Sequence, residues 1–142
     1  MDGRTAVAEN ATTGNADGDV ITKLSAHPVA DTVAKLTGII SAKGMRLFAV
    51  IDQSEAARAV GLDLRDTVLV IFGSPAAGTP VMAASPLAAL DLPLKVLVWD
   101  DSGQTKVSYY TPDATVDRFG VPAGLAGNLA GINVLTDALV AG

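Results

Sequence analysis

Few side chains in this chain could do chemistry, and the first is a lysine inside an apolar run. "LDLPLKVLVWDD", residues 90–101, carries Lys95 among leucines and valines. As a desolvated amine Lys95 could form a Schiff base or act as an electrostatic catalyst. The ordinary alternative is a stem packed on Trp99, with its ammonium at the sheet margin near Asp91. A second candidate is "FGSPAAGTP", where Gly73 and Gly78 follow an apolar run. A phosphate loop with that glycine spacing continues into Lys and then Ser or Thr, whereas this chain continues into Thr79 and Pro80. The segment therefore reads as a turn, able to line a pocket with Ser74, Thr79 and backbone N–H groups facing a small polar ligand.

Other chemistry is thinner. Asp100 and Asp101 stand beside Ser102 and Gly103 but lack the regular oxygen spacing of a calcium loop, so a solvated turn is the expectation. His27 is the sole histidine and there is no cysteine, which leaves no metal site of the usual nitrogen and sulfur kind and no thiol mechanism. No nucleophile-elbow sequence accompanies His27. Tyr109 and Tyr110 are adjacent in a strand-like stretch and must point to opposite faces. One of them, with Arg118, could wall a polar pocket; the plain alternative is a strand, a turn at Pro112 and a short helix. Gly127 and Gly131 lie four apart and suit close helix packing. No metal and no cofactor is called for.

The elements that must position these residues follow from periodicity. "DVITKLSA" is strand-like and ends near His27 and Pro28. Val29, Val33, Leu36 and Ile40 then mark one helix face, with Pro28 and Asp31 at its start and Gly44 at its stop. "MRLFAVID" alternates, placing Leu47, Ala49 and Ile51 on one face and Phe48 and Val50 on the other. Ser54 is the expected cap of a short helix that Gly61 closes. "TVLVIF", residues 67–72, is apolar on both faces and suits a central strand. Pro86 and Pro93 restrict the next segment to short helical pieces. "LKVLVWD" and "TKVSYY" flank "DSGQ" as a hairpin. From Pro122 a helical stripe runs through Leu125, Leu129, Ile132, Leu135 and Leu139. The order β, α, β, short α, β, irregular α, β, β, α predicts an α+β fold, a mostly antiparallel sheet packed against helices.

Length and composition bound the whole. At 142 residues the chain is one domain in size, able to bury roughly two thirds of its unfolded surface. One Trp, two Tyr and three Phe leave the core to Val, Leu, Ile and Ala. Residues 1–18 are small and polar and read as a flexible tail, with a single domain over 19–142. A net charge of −5 works against nucleic-acid binding, and no basic cluster suggests an anionic membrane surface. The first residues lack the apolar region of a signal peptide, and no uncharged apolar stretch reaches membrane-spanning length. A soluble, cytoplasmic protein is expected.

Taken together, "VIFGSPAAGTPVMAASPLAALDLPLKVLVWDDSG", "VSYYTPD" and "RFGVP" resemble the family called domain of unknown function 302. The likeness runs from about Asp19 to Val140. It implies a small bacterial or archaeal α+β domain with a TATA-binding-protein-like arrangement, commonly dimeric, of unestablished activity. Lys95, Gly73, Pro75, Gly78, Thr79, Pro80 and Tyr109 match the pattern. Gln53, and Phe119 between Arg118 and Gly120, stand where many relatives carry histidine, so no imidazole role is carried over. The expectation is a homodimeric binding or sensing module whose ligand lies between residues 73–80, Lys95 and the Tyr109–Arg118 segment. An enzyme using Lys95, and a structural or protein-interaction module without a ligand, remain the alternatives.

Overall fold

The structure, a computed structural model, describes residues 18–142. The tail expected over residues 1–18 falls, apart from Gly18, outside the described residues. Five strands form one sheet: β1 (Val20–Ser25), β2 (Arg46–Asp52), β3 (Thr67–Gly73), β4 (Leu94–Asp101) and β5 (Gln104–Tyr110). Their spatial order is β1-β5-β4-β3-β2, and every neighbouring pair is antiparallel. Between them come α1 (Val29–Ala42), α2 (Gln53–Ala59) and α3 (Pro75–Ala84), with α4 (Pro112–Phe119) and α5 (Gly131–Val140) after the last strand. Two 3-10 segments, Pro86–Leu90 and Ala123–Leu129, follow α3 and α4. The architecture is α+β, as the pattern of elements predicts.

Alternation along the strands sorts the faces. Val68, Val70 and Phe72 of β3, Val96 and Val98 of β4 and Val107 of β5 point to one side. There they meet Leu36 and Ile40 of α1 and Ile132, Leu135 and Leu139 of α5, all essentially without solvent exposure. A second cluster of Val81, Ala88, Val121 and Leu129 joins α3, the 3-10 segments and the residue after Gly120. The other sheet face, with Leu69, Ile71, Leu97 and Trp99, stays half-buried and has no helix over it.

Several boundaries differ from expectation, each for a local reason. The segment expected to be a turn, "GSPAAGTP", is the opening of α3: Ser74 caps it by accepting from Ala77 N, and Pro75 fits the first helical turn. The cap of α2 is Asp52, which accepts from Glu55 N at 2.9 Å. Ser54 lies inside that helix, donating to Asp52 Oδ1 at 2.6 Å and accepting from Thr67 N at 3.2 Å. A bulge at Phe48 breaks the alternation of β2, so Leu47 pairs with Phe72 while Ala49 pairs with Ile71. Leu47 and Ala49 thus do not share a face. The stripe after Pro122 is two pieces, broken near Ala130. The hairpin turns on Ser102 and Gly103, both at positive φ, as a two-residue connection of right-twisted strands requires.

Candidate functional site

A cleft of about 500 Å³ lies at one end of the sheet. Gly73 and Ser74, where β3 passes into α3, form its floor with Pro75, Ala77 and Gly78 of the first turn of the helix. Met45, just before β2, and Phe48 of β2 enter from one side, Leu92, Pro93 and Leu94 from the approach to β4, and Gly127–Leu129 and Gly131 from the other side. Its lining is mainly apolar, with Ser74 and Asn128 as the polar side chains. Asn128 Nδ2 donates to Ala77 O at 3.0 Å, which holds the second 3-10 segment against α3. Neither glycine is sterically compelled: a Cβ at Gly73 would meet Pro93 Cβ at 3.7 Å, and one at Gly78 would meet Met82 Cε at 3.9 Å. What these glycines supply is open space.

The expected site residues divide into three places. Gly73, Ser74 and Gly78 line the cleft, whereas Thr79 is exposed on α3 and does not. Lys95 lies on the open sheet face, half-buried, and donates to Asp91 O at 3.1 Å and Pro93 O at 3.2 Å. It is a tie across the turn that precedes its own strand. The cation over Trp99 is Lys106, at 5.5 Å from the ring centre, not Lys95. Arg118 Nη1 donates to Asp91 Oδ2, which also accepts from Thr115 Oγ1 at 3.0 Å. Asp91 therefore joins Lys95 to Arg118, and Tyr110 stacks under the Arg118 guanidinium at 5.7 Å. A narrow hollow of about 20 Å³ lies beside Lys95, Asp91 and Tyr110, and a more open, mainly apolar one of about 320 Å³ lies between Lys95, Leu69, Leu97, Val20 and Tyr110.

Tyr109 is on the opposite, helix-covered face. It is 4% exposed and its hydroxyl donates to Asn133 Oδ1 at 2.7 Å. Alternation carries the signal for this: Val107 and Tyr109 are in phase, and Lys106 and Ser108 are the polar positions. Above the ring, at 5.2 Å, sits Lys23, which donates to Thr136 Oγ1 and Asp137 Oδ1, both at 2.7 Å. Burial alone would lower the Lys23 pKa, but the bonds to Asp137 and Tyr109 outweigh it and hold it above the ordinary lysine value. At Asp52 the hydrogen bonds from Ser54 and Glu55 N hold the carboxyl below its usual value. Met45, Phe48, Met82, Leu92 and Asn128, the remaining cleft residues of note, were not legible as a set, because apolar side chains in a sequence look alike whether they fill a core or wall a cleft.

The family model for "Domain of unknown function DUF302" matches residues 21–137. The chain belongs to that family. A solved relative, the crystal structure of an uncharacterized conserved protein DUF302 from Bacillus stearothermophilus, superposes with a TM-score of 0.74. It is 20% identical, with 86% of this chain and 95% of that one covered, and so speaks for the fold alone. Among curated proteins the chain is 33% identical over 115 residues to "Fluoride-specific ion channel FluC 1" of Brucella suis, covering 80% of this chain and 44% of that protein. The Brucella abortus protein of the same name is 33% identical as well, with 42% of its length covered. The chain thus spans less than half the length of the curated relatives it matches.

Among the described residues no group of three His, Cys, Asp or Glu side chains stands close enough to hold a metal ion. The stretch Ala123–Val140 is long and apolar enough to cross a membrane if its one charge, Asp137, is tolerated. In this fold it is two segments, and α5 turns Ile132, Leu135 and Leu139 onto the sheet.

Proposed function

We propose that this domain is a homodimeric binding module that takes a small, mainly apolar molecule in the cleft where β3 enters α3. The cleft itself carries the reading. Its volume of about 500 Å³ lies within the range of small-molecule sites, and its apolar walls with a few polar groups match their usual make-up. The ligand class shifts from the polar one expected of the sequence, since Lys95, Arg118 and Tyr109 do not face this space. Lys95 and Arg118 instead serve the wall that α4 and the Asp91 turn build.

The test uses 1-anilinonaphthalene-8-sulfonate as probe. Wild-type protein is expected to bind it saturably, and Gly78→Phe to lose most of that binding while keeping its circular dichroism. Dye binding unchanged in a folded Gly78→Phe protein would remove the cleft from consideration. Native mass spectrometry of gently purified protein then names a resident ligand by its added mass.

A second reading rests on the Brucella relatives, whose name is that of a fluoride channel and whose length is more than twice the matched part. On it, the domain is an accessory module of a membrane-embedded fluoride conductor. Deletion of the gene would then sensitise cells to fluoride; unaltered growth across a fluoride series would dismiss it.

A further inference from the structure

The sheet face turned away from the helices is apolar where a wet face would be polar. An antiparallel sheet with one side in water alternates apolar and polar residues along its strands. Here Leu69 and Ile71 of β3, Leu97 and Trp99 of β4, Val20 of β1 and Tyr110 of β5 all lie on the uncovered side, as the register fixes. The polar groups among them already have partners within the chain. Trp99 Nε1 donates to Ser108 Oγ at 3.0 Å, and Ser108 Oγ is bonded to Thr22 Oγ1 at 2.8 Å. Lys106 is paired with Asp101 at 2.7 Å. Covering such a face removes apolar area from water and strands none of these groups.

The occupant that fits is a second copy. Five strands of six to eight residues make a face of about 24 by 20 Å. Two such faces in contact bury about 1,000 Å² or more, the area from which a specific interface starts. The face is also complementary to itself. Leu97 lies midway along β4, the middle strand. A two-fold axis there, in the sheet plane and perpendicular to β4, sets the residues before Leu97 against those after it. Lys95 then meets Trp99 of the second copy, Tyr110 meets its Lys106, and Val20 meets its Leu24. These are two cation–π pairs and one apolar pair. An axis along β4 would instead place Lys95 on Lys95. The hollow of about 320 Å³ beside Lys95, Leu97 and Tyr110 gives the incoming Trp99 ring its room.

We infer that two copies of this chain stack by their open sheet faces, forming a sandwich with sheets about 10 Å apart and the helices outside. This deepens the homodimeric part of the proposed function and rests on it. β3, apolar on both faces, is then covered on both. The polar chain from Thr22 through Ser108 to Trp99 lies inside the seam.

Trp99 is the sole tryptophan, so its fluorescence reports on this seam alone. Light scattering at micromolar concentration is expected to give a dimer. On dilution, as the mass halves, Trp99 emission should move to the red and its quenching by acrylamide should rise severalfold. Leu97→Glu puts two carboxylates on the axis and should weaken the dimer at least about a hundredfold, with circular dichroism unchanged. Leu62→Glu, at a 64% exposed position before β3, is the control and stays dimeric. A folded Leu97→Glu protein as dimeric as the wild type would overturn the seam and leave a homodimer through another surface. Dissociation of the wild type with no change in Trp99 quenching would overturn it too, and needs no variant to fold. A monomer throughout would overturn the seam and the homodimer together, while the loss of dye binding in Gly78→Phe reads the cleft separately.

Discussion

Removing the Asp91 carboxylate, by Asp91→Ala, tests whether the Lys95 region is a structural tie. Asp91 Oδ2 accepts from Arg118 and from Thr115 Oγ1, and the side chains of Asp91 and Arg118 are 19% and 40% exposed. Exposed ion pairs are worth about 0.2–1 kcal/mol. A hydrogen bond to a charged acceptor adds about 1.5 kcal/mol at the lower end of its range, the fitting end for a partly solvated group. Together the loss is about 2 kcal/mol, or roughly 8 °C of melting temperature in a domain of this size. Urea unfolding followed by the fluorescence of Trp99, the sole tryptophan, measures it directly. A double-mutant cycle with Arg118→Gln should return a coupling of about 0.5–1 kcal/mol. Lys95 holds the backbone carbonyl of Asp91 rather than its carboxylate, so Lys95→Met should add its own loss to that of Asp91→Ala. An Asp91→Ala protein with the wild-type urea midpoint would refute this account of the region and return Lys95 and Arg118 to the list of groups free for chemistry.

Two further expectations concern the cluster under α5. Tyr109→Phe leaves the ring in place but strands Asn133 Oδ1, and should cost about 1–2 kcal/mol in the same urea experiment. Lys23 is held above the ordinary lysine value of 10.5, so its contribution is complete below that pH and is lost as pH rises through the folded value. Stability of the wild type should therefore fall in the alkaline range more steeply than that of Lys23→Met, and parallel curves would argue against the bond network as drawn.

What the sequence reveals here depends on whether a signal is periodic or relational. The helix from Val29 to Ala42 and the β4–β5 hairpin come from repeating patterns, and the structure reproduces both. Residues 74–84 mislead because Gly, Pro and Ser argue for a turn residue by residue. The pairing of Ser74 with Pro75 in front of small residues, however, is a helix start. The bulge at Phe48 leaves no mark in the alternation of "RLFAVID", since it is defined by the count of residues on β3. Lys95 is the sharpest case. Its partners are main-chain carbonyls, which have no letter in a sequence, so its pairing had to wait for the turn at Asp91 and Pro93. Tyr109 and Tyr110 were separable by alternation, but which of them faced the helices hung on Val107.

The strand order β1-β5-β4-β3-β2 also sets a schedule. Strands β2 to β5 each lie beside their neighbour in the chain, so each of their loops is shorter than the one that brings β1 to β5. β1 comes first in the chain yet pairs with the last strand, Val20 beside Tyr110. Among the strand pairs that seam closes the longest loop, and contacts so distant in sequence slow folding. The first strand made is thus the last to find its place. Until it does, Lys23 cannot reach Asp137, and the nascent sheet carries β5 as a second open edge.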